Sequence, residues 1–185
     1  MTDSVFAWVV LALLLFWSVG AYNRLVRLRS LALATFQRLG HPLGSYPALV
    51  DEIVKTSPDL LAPAYPPALG AEAAAAWTGL QAASAQFDVC WRVVRRQPLD
   101  AEGMAALQTA LAVLQTAWKN AREAHLGSVQ LLPPPLVLRW AENDQLVAHA
   151  AAGFNAAVLA YNTAITQFPA LLMARLFAFR VAGCL

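Results

Sequence analysis

The sequence predicts an all-α protein in which a transmembrane helix continues into an antiparallel four-helix bundle. Three observations lead to this fold class: residues 5–21 are apolar and uncharged, apolar residues then recur at helical three- and four-residue spacing, and proline-rich or glycine-containing segments separate these repeats. No segment shows the strict alternation of a half-buried strand. Of the 185 residues, those after the apolar stretch suffice for one domain with its own core.

The first predicted element is a membrane anchor over residues 5–21, preceded by a short tail of residues 1–4. At 1.5 Å per residue these 17 residues cover roughly 25 Å as a helix, near the lower limit for crossing a hydrocarbon core. The side chains assigned to the anchor are Val5, Phe6, Trp8, Leu11, Leu14, Phe16 and Trp17.

Two other interpretations of this stretch stay open. A cleaved signal peptide normally has Lys or Arg before its apolar core, whereas residues 1–4 contain only Asp3; small residues at Ser18, Gly20 and Ala21 still leave a weak cleavage site. A buried core helix would need a very large domain to cover two Trp and two Phe side chains. The anchor is the favoured interpretation.

The distribution of arginine predicts the orientation of the anchor. Arg24, Arg27, Arg29 and Arg38 follow the apolar stretch, and no Lys or Arg precedes it. The positive-inside rule then places the N-terminus outside the cell membrane and the bundle in the cytoplasm. The juxtamembrane residues Arg24, Arg27 and Arg29 are expected to meet anionic lipid headgroups.

The bundle domain is predicted over residues 22–180. Its helices are expected at roughly 22–39, 45–57, 70–97, 100–126 and 136–168, with a short terminal helix at 170–180. Gly40-His41-Pro42 is expected to end the first helix, Asp100 to cap a later one, and Pro169 to kink or end the last long one. Sustained three-four spacing is typical of nearly parallel helices crossing at about 20°.

Aromatic residues are expected to divide between the core and the surface. Trp77, Trp91 and Trp118 lie on the apolar seams, whereas Trp140 follows a triple proline and is expected to be exposed. Phe177 and Phe179, flanked by Arg175 and Arg180, form an amphipathic patch that either docks on the core or lies on a membrane surface.

Short motifs at both ends of the chain resemble those of the LemA family. Residues 22–29 read YNRLVRLR, residues 46–55 read YPALVDEIVK, and Glu142-Asn143 stand where the family has a TEN-like stretch. Further motifs are Phe154-Asn155, Tyr161-Asn162, Phe168-Pro169 and 177–179 (FAF). Phe154 and Ala178 depart from the Tyr and Gly of the family pattern. The resemblance implies a single-pass, membrane-attached four-helix bundle, from a family without an established catalytic activity.

Residues of the last long helix form a candidate partner-binding strip or family motif. Its members are Asn155, Tyr161, Asn162, Phe168 and Pro169. Asn is unfavourable within a helix, and two Asn seven residues apart share a face. The plainer interpretation is interhelical hydrogen bonding at the bundle edge, with the Tyr161 ring packed inside and its hydroxyl paired.

No pattern in the sequence points to catalysis, a metal or another cofactor. His41, His125 and His149 are far apart and lack the Glu-x-x-His pairs of di-iron bundles. A net charge of +2 without a dense basic face argues against nucleic-acid binding, and two Cys form no disulfide framework. We therefore expect a membrane-anchored scaffold or adaptor with a protein partner. A lipid- or apolar-ligand-binding bundle, suggested by 59% hydrophobic residues, is the alternative.

Overall fold

The computed structural model describes residues 2–56, 67–126 and 133–185. Within these ranges the chain forms helices and no strand. The helices are α1 (Thr2–Thr56), α2 (Pro67–Val94), α3 (Ala101–Leu126), α4 (Pro134–Thr166) and α5 (Ala170–Leu176). The all-α prediction is therefore confirmed, while residues 57–66 and 127–132, which fall largely between predicted helices, lie outside the described residues.

Helix α1 runs without interruption through the segment predicted to stop it. It contains Gly40, Pro42 and Pro47, so the prediction of separate helices at 22–39 and 45–57 is wrong. A proline inside a helix costs about 3 kcal/mol because a hydrogen bond is lost and the ring crowds the preceding turn. Burial of a leucine side chain contributes about 1.5–3 kcal/mol in the opposite direction. The fully or nearly fully buried side chains on this part of α1 are Leu39, Leu43, Tyr46, Leu49, Val50 and Ile53. A continuous helix keeps all of them on the core face. The free energy gained by burying them outweighs the cost of two prolines within the helix.

The long helices pack side by side in the order α3, α2, α1, α4. Helix α1 lies antiparallel to α4, since Phe36 contacts Phe154 with ring centroids 5.7 Å apart while Glu52 pairs with Arg139 at 2.6 Å. It meets α2 through Phe36 and Trp91, at 5.7 Å between centroids. Among the described residues, α3 and α4 have no close backbone approach, which leaves a gap between them.

One end of this gap is filled by stacked indole rings. Trp118 on α3 and Trp140 on α4 stack with centroids 4.4 Å apart and an interplanar angle of 16°. The prediction that Trp140 is exposed is wrong, because its exposed fraction is 1%. Pro134 begins α4, so Trp140 lies beyond the first helical turn and faces the core. The predicted core positions of Trp77, Trp91 and Trp118 are confirmed.

The helix ends follow the capping and proline signals in part. The predicted cap at Asp100 is confirmed, since its Oδ2 accepts a hydrogen bond from the Gly103 N–H at 2.7 Å. Pro169 separates α4 from α5 with a bend of 93°. Helix α5 ends at Leu176 and not at 180, because Ala178 adopts a left-handed backbone conformation with φ 52°.

A helix that spans a membrane has to be both long and apolar. Among the residues that the structure describes, no single helix combines the length and mean hydropathy of a membrane span. Helices α4 and α5 reach that combination only as a bent pair.

The predicted anchor residues lie in the first part of α1. The side chains of Phe6, Trp8, Phe16 and Trp17 are exposed, and those of Val5, Leu11 and Leu14 lie outside the described residues. Arg24, Arg27 and Arg29 are also exposed.

Candidate interaction site

The chain beyond α5 forms an extended segment that lies along α4. The turn that leads into it is closed by a hydrogen bond of 2.9 Å from the Phe179 N–H to the Ala174 carbonyl. Residues 180–185, here called the strap, then pass residues 162 to 155 and so run antiparallel to α4.

Two asparagines of the predicted strip hold the main chain of the strap. Asn162 donates from Nδ2 to the Ala182 carbonyl at 2.9 Å and accepts from the Ala182 N–H at 2.9 Å. Asn155 does the same with Leu185, at 2.8 and 2.9 Å. Seven helical residues rise about 10.5 Å, and three extended residues cover about 10 Å, so the two spacings match. Each side-chain amide therefore satisfies both hydrogen-bonding groups of one strap residue.

Tyr161 adds a third contact to the strap. Its hydroxyl donates to the Arg180 carbonyl at 3.0 Å, and its ring is buried near Phe179, with centroids 6.4 Å apart. Burial raises the pKa of Tyr161, while the charge of Arg29 acts in the opposite direction. The predicted placement of this residue, with its ring inside and its hydroxyl paired, is confirmed. The predicted interhelical bonds of Asn155 and Asn162 are wrong, because the partner of both residues is the strap.

The strap also fits closely against the first turn of α3. A Cβ atom added at Gly183 would lie 2.7 Å from the Met104 Cβ and 2.9 Å from the Ala101 Cα, so only glycine fits there without a shift. Ala182 is buried as well. The strap therefore occupies the end of the α3–α4 gap that the indole stack does not fill.

Phe168 and Pro169, the other two residues of the predicted strip, lie away from the strap. They form the bend between α4 and α5, and Phe168 contacts Trp17 of α1 edge-on with centroids 5.1 Å apart. Large side chains around this bend are exposed by 53–72%. This α5 surface consists of Phe168, Leu172, Leu176 and Phe177. The predicted aromatic patch is thus divided, since Phe177 is exposed and Phe179 is half-buried.

A second polar cluster joins α1 to α4 in the middle of the molecule. Tyr46 donates to the Asp144 carboxylate at 2.5 Å, and Ser45 donates to Asn143 Oδ1 at 2.7 Å. Asn143 donates in turn to the Pro42 carbonyl at 3.0 Å. Burial, followed by the hydrogen bond and the charge of Asp144, raises the pKa of Tyr46. No prediction from the sequence covers this cluster, although the mid-helix pair Asn143-Asp144 is an available signal for it.

Several clefts open on the surface of the part of the chain that the structure describes. One cleft, of about 670 Å³, is lined by Tyr22, Arg29, Arg96, Asp100 and Tyr161 among others. Another of about 410 Å³ includes His41 and His149. In the part of the chain that the structure describes, no three His, Cys, Asp or Glu side chains are grouped to hold a metal ion.

Comparisons with protein-family models, curated proteins and solved structures give no match to this chain. The functional interpretation therefore depends on the residues and geometry of this molecule alone. What that geometry offers is recognition of an extended main chain by α4 and an exposed apolar surface at α5.

Proposed function

We propose that this protein is a single-pass, membrane-anchored helical-bundle protein of the LemA type, which acts as a scaffold or adaptor for other membrane or envelope proteins. Residues 5–21 form the anchor, the N-terminus lies outside, and the bundle lies on the cytoplasmic face of the cell membrane. The observation that carries the proposal is the continuity between the apolar first part of α1 and the exposed α5 surface.

Several described apolar side chains in the first part of α1 are largely uncovered by protein. Phe6, Trp8 and Phe16 are exposed by 70%, 68% and 85%. Each large apolar side chain left in water forgoes about 1.5–3 kcal/mol that burial would provide. Acyl chains supply that burial without a larger protein core, which favours the anchor over the core-helix interpretation.

The α5 surface lies at the same end of the molecule. Trp17 contacts Phe168, and Tyr22 contacts Phe177 with centroids 4.7 Å apart. Exposed apolar patches of this kind mark membrane or protein contacts, and Tyr and Trp favour the membrane–water boundary. The exposed Arg24 and Arg27 follow directly, at the level expected for headgroups.

Contacts between the family-like motifs support the LemA resemblance. Tyr46 of the 46–55 motif pairs with Asp144, directly after Glu142-Asn143. Tyr22 of the 22–29 motif contacts both Phe177 and Phe179 of the FAF motif. Residues that carry the resemblance in sequence therefore meet in space, on α1 and α4–α5. The antiparallel four-helix bundle is part of the same proposal, with the strap and the Trp118–Trp140 stack completing the α3–α4 side.

A scaffold or adaptor role agrees with the chemistry of the described side chains. The hydrogen bonds of Tyr46 to Asp144 and of Asn143 to Pro42 connect helices, and that of Asn162 to Ala182 holds the strap. A membrane tether raises the effective concentration of weak contacts, so a modest binding surface is sufficient for an adaptor.

A lipid-binding bundle is the second candidate function. A cleft of about 340 Å³ between α1 and the α4–α5 bend is lined mainly by apolar side chains, among them Phe16, Trp17, Phe168 and Pro169. An acyl chain that enters from the membrane would fit such a cleft. Lipid retained by the purified full-length chain, and lost in the variant Gly20→Leu that fills the cleft, would favour this candidate over the adaptor.

Thiol labelling of intact cells tests the anchor and its orientation together. In a Cys90→Ala, Cys184→Ser background, Gln108→Cys on the exposed face of α3 should react with a membrane-impermeant maleimide only after lysis. Thr2→Cys in the same background should react before lysis. Reversal of this pattern would refute the orientation, and recovery of the chain in the soluble fraction would refute the anchor.

A further inference from the structure

The groove that holds the strap recognises main-chain atoms and the absence of a side chain at one position. Its Asn155 and Asn162 amides pair with both main-chain groups of Leu185 and Ala182. The first turn of α3 excludes a Cβ atom at Gly183. None of these contacts depends on the strap belonging to the same molecule, because the hydrogen bonds and the glycine slot are identical for any copy of residues 180–185.

The connection between α5 and the strap is short and strained. Ala178 has φ 52°, a conformation that a residue with a Cβ atom adopts only at a cost. Leu176 is exposed, whereas Phe177 contacts the Tyr22 ring and the turn is closed by the hydrogen bond from the Phe179 N–H to the Ala174 carbonyl, so the strap changes direction only if that hydrogen bond breaks. A change of conformation at Ala178 would relieve this strain and direct the strap away from its own α4.

We propose that the strap exchanges between two copies of this chain, each placing residues 180–185 in the groove between α3 and α4 of the other. The product is a two-fold symmetric dimer in which Asn155, Tyr161 and Asn162 make the same hydrogen bonds between molecules that they make within one. A second copy is the occupant because its strap has the alanine and glycine that the groove requires at 182 and 183. The exchange depends neither on the membrane anchor nor on the LemA resemblance, so it can fail while the proposed function holds.

Complementation between two defective full-length variants tests the exchange. Asn155→Ala with Asn162→Ala disables the groove and leaves the strap intact, whereas Gly183→Val disables the strap and leaves the groove intact. Co-expressed with different tags, the two variants should co-purify, because the strap of the first fits the groove of the second. Neither variant should co-purify with a differently tagged copy of itself. Equal co-purification in all three pairings, with normal helical circular dichroism, would overturn the proposal.

Cross-linking in an otherwise unaltered groove provides a measurement that does not depend on disabling variants. Leu159 lies between Asn155 and Asn162 on the same helical face and is exposed, as is Cys184 in the strap. One Cys90→Ala chain keeps only Cys184, and a second carries only Leu159→Cys, with Cys90→Ala and Cys184→Ser. After co-expression, a short bismaleimide should join the two chains. A chain with both thiols that gives only an intramolecular product, together with no product between chains, would show that the strap never leaves its own groove.

The strain at Ala178 gives the exchange a third readout. Glycine adopts φ 52° without the Cβ penalty, so Ala178→Gly in both chains should favour the closed monomer. We expect the intermolecular cross-link to fall about two- to fivefold, because the relief of the Cβ penalty is partly offset by the greater freedom of glycine in the released strap. An unchanged yield would exclude Ala178 strain as the driving force for exchange.

Discussion

Tyr46 of α1 donates a hydrogen bond of 2.5 Å to the carboxylate of Asp144 on α4, in the middle of the antiparallel pair that these two helices form. The Tyr46 ring is fully buried between Phe87 and Trp140, with centroids 5.7 and 5.1 Å away. A buried hydroxyl with one strong acceptor keeps its proton, because phenolate would be desolvated and would face a carboxylate. This hydrogen bond therefore connects α1 to α4, and its contribution to folding stability depends on pH.

Folding stability should decline in alkaline solution because of Tyr46. Burial first, and then Asp144, raises the pKa of this hydroxyl above its ordinary value of 10.0. The contribution is fully present below about pH 10 and is lost as pH rises further, since the unfolded chain ionises first. The free energy of unfolding should fall by up to about 1.4 kcal/mol per pH unit for this group. Urea unfolding in detergent between pH 8 and 11.5 measures the slope.

Two variants distinguish the causes of this slope. Tyr46→Phe should flatten the pH profile, leaving the smaller share of Tyr161, whose pKa is also raised by burial. Asp144→Asn leaves Tyr46 buried, and burial is the largest cause of its raised pKa. This variant should therefore retain most of the decline in folding stability. Equal slopes in Tyr46→Phe and the parent protein would contradict the assignment.

Loss of Asn162 should release the strap and leave the helices in place. Asn162→Ala leaves the N–H and carbonyl of the buried Ala182 without their partners, at a cost of about 1–3 kcal/mol. The amide of Ala182 should then exchange with deuterium at least tenfold faster, at unchanged helical circular dichroism. Thr163→Ala, which removes only a hydroxyl bonded within α4 on its exposed side, is the matched control. A loss of helical signal in Asn162→Ala would instead make the asparagine part of the helical core.

The fold class and the helix-end signals could be predicted because they are local. Apolar spacing is repeated over several turns in each long helix, and Asp100 caps the residues immediately after it. Gly40-His41-Pro42 is an equally local signal, yet its prediction is wrong. The core on either side of Pro42 extends over several turns, and proline affects only one of them.

The candidate site could be predicted only in part because its partners are distant in sequence. Asn155 and Asn162 could be recognised as unusual helix residues, but their partners lie 30 and 20 residues further along the chain. Nothing in their spacing distinguishes a neighbouring helix from an extended strap. Trp140 is a similar case, since the three prolines before it indicate an exposed position, whereas its stacking partner Trp118 belongs to another helix.

Replacing Ala178 by glycine should stabilise the protein. The LemA motif that residues 177–179 resemble has Gly at this position, and here φ is 52°. Removing the Cβ atom relieves about 1–2 kcal/mol of steric cost, partly offset by the greater freedom of glycine in the unfolded chain. We expect a net gain of about 0.5–1 kcal/mol in the free energy of unfolding. Ala178→Val should be destabilising, since a β-branched side chain is least tolerated at positive φ. A glycine variant no more stable than the parent would contradict the strained conformation.

The α5 surface should lie in the membrane boundary of the full-length protein. Spin labels placed one at a time at Leu176→Cys and Val113→Cys, in a Cys90→Ala, Cys184→Ser background, report their surroundings in anionic lipid vesicles. Both side chains are exposed in the structure, by 72% and 44%, so protein burial does not separate them. The label at 176 should collide more often with oxygen, which concentrates in lipid, and the label at 113 with a water-soluble nickel chelate. Adding Leu172→Glu and Phe177→Glu should shift the label at 176 toward the chelate, because carboxylates are costly at this depth. If the label at 176 is as accessible to the chelate as the label at 113, the α5 surface faces water or a protein partner, and the membrane contact proposed for it is wrong.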